Sequence, residues 1–62
     1  MCLSVAYVVD NGQREEIMSD VAFLKAEGNG FTLTTLLGDN RFVEGRIDSI
    51  DFMNEHSVVF TK

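Results

Sequence analysis

The sequence predicts an all-β fold: a small SH3-like barrel of five to six antiparallel strands, forming one domain over residues 1–62. Three observations predict it. The chain is rich in Val, Ile, Phe and Thr and contains five glycines and no proline, a strand composition punctuated by turns. Turn signals recur along it at Asn11-Gly12, Gly28-Asn29-Gly30 and Gly38-Asp39-Asn40, near the roughly 8–12-residue spacing of small sandwiches and barrels. Between them, apolar and polar residues tend to alternate, placing successive side chains on opposite faces.

The first strand is CLSVAYVVD. Leu3, Val5, Tyr7 and Val9 share one face, expected to be core, and Cys2, Ser4, Ala6 and Val8 the other, which is flatter and smaller. Asn11-Gly12 is the strongest short hairpin signal, since both residues tolerate the positive φ of a type I′ turn. QREEI follows as a short charged strand suited to a sheet edge. In REEIMSDVAFLKAE, Ile17, Met18, Val21, Leu24 and Lys25 also fit a helical stripe; the flanking turns favour strands. In FTLTTLL, Phe31 and Leu33 point inward and Thr32 and Thr34 outward. RFVEGRIDSIDFM changes phase at Asp48-Ser49, where a bulge or sharp bend would align Val43 and Ile47 with Ile50 and Phe52. NEH then leads to the last strand, SVVFT. The expected core is completed by Phe31, Leu33, Ile47, Ile50, Phe52, Val58 and Phe60.

So short a chain buries only a small core and gains from oligomerisation or a bound ion. A single cysteine cannot make an internal disulfide, and a free thiol without an export signal points to the cytoplasm. No apolar run approaches the roughly 20 residues of a membrane-spanning helix. The ten acidic and five basic residues give a net charge of −5, which disfavours nucleic-acid backbones and favours a cation or a basic partner. P-loop, dinucleotide, C-x-x-C and H-E-x-x-H motifs are absent, so the chain reads as a non-enzyme. Glu15-Glu16 reads as a solvated strand edge. His56 reads as a dispensable turn residue, because it has no spaced ligand partner.

The candidate site is the amino terminus. The Met1 amine, the Cys2 amide nitrogen and the Cys2 thiolate can close two five-membered chelate rings around one ion. That planar nitrogen–sulfur set suits Ni(II) or Cu(II) better than tetrahedral Zn(II). The alternative is an incidental cysteine on a small β-barrel that binds a protein or RNA partner.

The opening MC, the DNG hairpin and the run TTLLGDNRFVEGRIDSIDF resemble the CooT family, small nickel-binding proteins associated with carbon monoxide dehydrogenase maturation. The resemblance implies a dimeric small β-barrel holding Ni(II) through Cys2. It also implies a metallochaperone-like role towards a nickel enzyme or its maturation proteins. Two copies could meet through the Cys2-Ser4-Ala6-Val8 face and pool their thiols on one ion. If Met1 is retained, its amine joins the chelate; if it is removed, each chain offers the amine and thiolate of Cys2.

Overall fold

The computed structural model describes residues 3–62. Six strands make one sheet: β1 (Ser4–Asp10), β2 (Gln13–Glu27), β3 (Gly30–Thr35), β4 (Asn40–Glu44), β5 (Arg46–Asp51) and β6 (Ser57–Thr61). The all-β class and strand number agree with the sequence reading. Two features of the expected barrel do not. The spatial order is β4-β3-β2-β1-β6-β5, so β4 and β5 are unpaired edges and the sheet is not closed. Nor is it wholly antiparallel: β1 and β6 run parallel, from Val5↔Ser57 to Val9↔Thr61.

The sheet buries a face by curling on itself. Asn11 and Gly12, with φ of 53° and 76°, make the tight β1–β2 turn. The 15 residues of β2 then form one strand, where the sequence suggested two pieces or a helix. It bends near Asp20, whose φ is 57°. Val21 at the bend pairs with Ser4 of β1 and Thr35 of β3. The first half of β2 thus belongs to β1 and the second half to β3. Register shifts on both sides of the bend mark β-bulges, which increase local twist.

A second corner lies at Gly45, the single residue between β4 and β5. Its φ is 128°, and its N–H donates to the Asn29 carbonyl at 3.0 Å. A Cβ here would run into the Thr61 carbonyl oxygen. Glycine is therefore required both for conformation and for close approach. The expected irregularity at Asp48-Ser49 also exists, as a register shift between Ile47 and Ser49.

The inner faces of five strands meet in a core of Ala6, Val21, Leu33, Val43, Val58 and Phe60, with Val8, Phe31 and Ile47 packed against it. Phe31 and Phe60 tilt together with ring centroids 5.5 Å apart. Leu33, Val58 and Phe60 match the sequence-based core, and Phe31 and Ile47 flank it. The assignment of β1 is reversed. Ala6 is fully buried while Leu3, Val5, Tyr7 and Val9 are half-buried on the convex side. The parallel register explains why, because Ala6 and Val8 lie beside the inward Val58 and Phe60. A tightly curled centre has room for alanine. On the convex side, the Arg14 guanidinium lies 4.0 Å from the Tyr7 ring centroid and shields it. Ile50 and Phe52 are also corrected. The bulge places Ile50 opposite the inward Val58, but no strand crosses that end of the sheet, leaving Ile50 39% and Phe52 73% exposed.

These burials separate two substitutions that composition alone would treat alike. Leu33→Ala should destabilise the fold by about 2–5 kcal/mol through lost transfer energy and a residual cavity. Phe52→Ala should cost the isolated chain under about 0.5 kcal/mol. Urea unfolding monitored by circular dichroism at low protein concentration checks the contrast.

Candidate metal site at the amino-terminal end

Cys2 and Met1, the ligands expected from sequence, lie outside the described residues. The register defines the end of the sheet to which they lead. Ser4 pairs with Val21, Val5 pairs with Ser57, and the Val5 N–H donates to the His56 carbonyl at 2.9 Å. The Leu36 N–H donates to the Asp20 carbonyl at 3.1 Å, tying the β3–β4 turn to the same end. The start of β1, the β2 bend, the 36–39 turn and the 52–56 turn are therefore neighbours. His56, a remote turn residue by sequence, sits beside the entry to β1, with a φ of 53°.

This end is apolar and acidic. Leu36, Leu37, Phe52 and Met53 are 59%, 90%, 73% and 83% exposed. Phe23 and Ile50 continue the apolar surface into a shallow mouth of about 190 Å³ with Ser4, Val21, Leu24 and Val58. Sequence analysis passed over Leu36, Leu37 and Met53; two adjacent leucines before Gly38-Asp39 are a visible signal, because a turn seldom needs them. Asp20, Asp39, Asp51 and Glu55 stand around this end, and none of the three turning segments there contains a lysine or arginine, although Arg14 of β2 reaches Glu55.

Two carboxylates hold the 52–56 turn. Asp51 Oδ1 accepts the Asn54 and Met53 N–H groups at 2.8 and 2.9 Å. These hydrogen bonds, Asn54's first, lower the Asp51 pKa below the ordinary aspartate value. Glu55 Oε1 accepts from Arg14 Nη2 at 2.8 Å and from the buried Ser57 Oγ at 3.0 Å. The Arg14 hydrogen bond is the main cause of its lowered pKa. The pair is about half exposed, so its contribution is orientation of the turn more than stability.

Among the described residues, no three His, Cys, Asp or Glu side chains gather as a metal cluster. The amino-terminal donors expected from sequence, on Met1 and Cys2, lie outside those residues. The Cys2-Ser4-Ala6-Val8 face expected to join two copies is not available for that contact. Ala6 is fully buried in the chain's own core, and Val8 packs against that core. The exposed apolar residues lie at the end of the sheet instead.

The described residues form a small open β-sheet with an apolar, acidic end. The chain belongs to the CooT family of CO dehydrogenase accessory proteins, whose model matches residues 1–61. The family is one of accessory proteins and not of catalysts. The crystal structure of a CooT from Carboxydothermus hydrogenoformans shares the fold, with a TM-score of 0.88 and 18% identity over 98% of this chain and 97% of that one. No curated protein matches the chain. No helix is long and apolar enough to cross a membrane among the described residues.

The Asp51 hydrogen bonds make the turn pH-sensitive. Because its folded pKa is lowered, their contribution is present above the unfolded value, about 4, and is lost as pH falls through the folded one. Protection of the Met53 and Asn54 amides, taken relative to the intrinsic exchange rate at each pH, should be present at neutral pH and lost in acid, and Asp51→Ala should abolish it at neutral pH. Hydrogen exchange followed by NMR reads this directly.

Proposed function

We propose that the chain is a nickel-binding, metallochaperone-like accessory protein of the cytoplasm that serves a nickel enzyme or its maturation proteins. Ni(II) is its cargo, held by the Cys2 thiolate and amide and the Met1 amine, with the thiol of a second chain completing the square plane. The observation that carries this reading is the family match, which runs through Met1 and Cys2 as well as the sheet. The start of β1 at an apolar end with Asp20, Asp39 and Asp51 nearby supports it too, since the Arg14 guanidinium that reaches the 52–56 turn is already paired with Glu55.

The second copy meets the chain at this same end. Ile50, Phe52 and Met53 are exposed apolar surface beside the start of β1, and covering them would compensate for the small core. Two such ends also bring acidic groups together. A shared dication offsets that repulsion, so metal binding and dimerisation are linked.

The test is a Ni(II) titration of protein with a native amino terminus, read by thiolate-to-metal charge-transfer absorption together with native mass spectrometry. Expected are one nickel per dimer, loss of the absorption with Cys2→Ser, and full retention with His56→Ala. Phe52→Glu should weaken dimerisation while leaving the thiol intact. A monomer that binds one nickel with undiminished affinity overturns the shared site. Nickel binding unaffected by Cys2→Ser overturns the terminal site altogether and leaves the protein- or RNA-binding module as the better reading.

A further inference from the structure

The 52–56 turn is joined to the rest of the sheet by few contacts. Asp51 and Ser57, which hold it through the Met53 and Asn54 amides and the Glu55 carboxylate, belong to its own flanking strands. Among the described residues, two hydrogen bonds tie the turn to other elements. The Val5 N–H donates to the His56 carbonyl at 2.9 Å, and Arg14 Nη2 donates to Glu55 Oε1 at 2.8 Å. The two acceptors are consecutive residues of the turn. The two donors are far from it in sequence: Val5 lies at the start of β1, and Arg14 lies in the first half of β2, 41 positions from Glu55.

Arg14 reaches the turn by crossing β1, which lies between β2 and β6 in the sheet. On the way its guanidinium stacks on the Tyr7 ring, 4.0 Å from the centroid. The ring and the carboxylate together fix the direction of a long side chain. Glu55 is held in turn by the buried Ser57 hydroxyl at 3.0 Å. His56, between these two anchored residues, has a φ of 53°, left-handed for a residue with a side chain. Such a backbone persists only where its surroundings hold it. Here it aims the His56 carbonyl at Val5, the first residue of the parallel β1–β6 ladder. Chain ends open at little free energy, so the closed population at that rung responds even to a contact as modest as a half-exposed ion pair.

We propose that Arg14 is a positioning residue for the amino-terminal metal site: by bracing Glu55 across Tyr7, it holds the His56 carbonyl on Val5 and so fixes where β1 begins. This rests on Ni(II) being held at Met1 and Cys2. Arg14 touches no metal and acts through Glu55 and His56. A closed first rung sets the point from which the chain runs towards Cys2. An open one lengthens the free segment, and ordering that longer segment then opposes nickel binding. What His56 contributes is its backbone carbonyl, which His56→Ala retains.

The test uses the full chain with a native amino terminus. Arg14→Met keeps an apolar stem over Tyr7 and removes the ion pair; Glu55→Gln keeps an acceptor for Ser57 and removes the charge. In the metal-free protein, amide exchange followed by NMR should show Val5 protection lowered about threefold to fivefold by either substitution, the size of an exposed ion pair, with the Leu33 and Phe60 amides unchanged. Ni(II) titration followed by charge-transfer absorption should show affinity weakened by a similar factor. The double variant should be no weaker than either single one, because both remove the same contact. Arg14→Lys, which keeps the charge without the planar fork, should recover part of the loss. The proposal is overturned if Arg14→Met leaves Val5 protection unchanged, if it lowers protection but not nickel affinity, or if the two single effects add in the double variant. If the unmodified chain binds no nickel at its terminus, the metal site falls and this proposal with it; titrating the unmodified chain first tells that failure from the others.

Discussion

The bend of β2 at Asp20 and Val21 is the constraint on which the rest of the molecule depends. A single six-stranded sheet has no second layer to cover it, and a flat one would leave both faces wet. By pairing Val21 with β1 on one side and β3 on the other, the bend turns one sheet into two facing halves. Ala6, Leu33, Val43 and Phe60 can then meet in one core. The same bend separates β3 from the first half of β2. It also places the 36–39 turn beside the start of β1. Core and apolar end are consequences of one change of strand direction.

Gly45 makes the complementary corner. It lets β4 and β5 run consecutively along opposite edges of the sheet, with no loop between them. The two edges converge at Gly45 and part towards the amino-terminal end, leaving Ile50 and Phe52 without a covering strand there. The exposed apolar surface of Ile50 and Phe52 thus lies where β1 begins, and the Gly45 corner lies at the opposite end.

Much of this was readable from the residues. The turns at Asn11-Gly12, Gly28-Asn29 and Gly38-Asp39 fall where composition put them, and the β5 irregularity falls at the change of apolar phase, but the corner at Gly45 was not foreseen within RFVEGRIDSIDFM. The face of β1 did not follow, because both its faces are apolar and residue size suggested the wrong one. Tyr7 looks like core in a period-2 pattern, and only the position of Arg14 beside it shows how an outward ring is shielded. Likewise, Ile50 and Phe52 have the phase of core residues, but phase does not reveal where a sheet runs out of neighbours. At the candidate site, the sequence offers the Cys2 thiol as a ligand, but not what lies beside the start of β1: His56, Asp51 and Phe52 come near Ser4 and Val5 only through the parallel pairing of β6, which no local pattern encodes.

That parallel pair also shapes how the molecule forms. Val5 and Ser57 lie side by side but are separated by most of the chain, so their contact closes one of the longest loops available to it. Such contacts form late and slowly, after local hairpins have begun to zip. The β1–β2 and β3–β4 hairpins can assemble from neighbouring residues, whereas β1 gains its second partner only when β6 docks. β1 thus waits for β6, far along the chain, before both of its edges are paired. Until β6 has docked, the His56 carbonyl and the apolar 52–56 turn are not beside the start of β1, so the surroundings of that end are complete only when the whole sheet is.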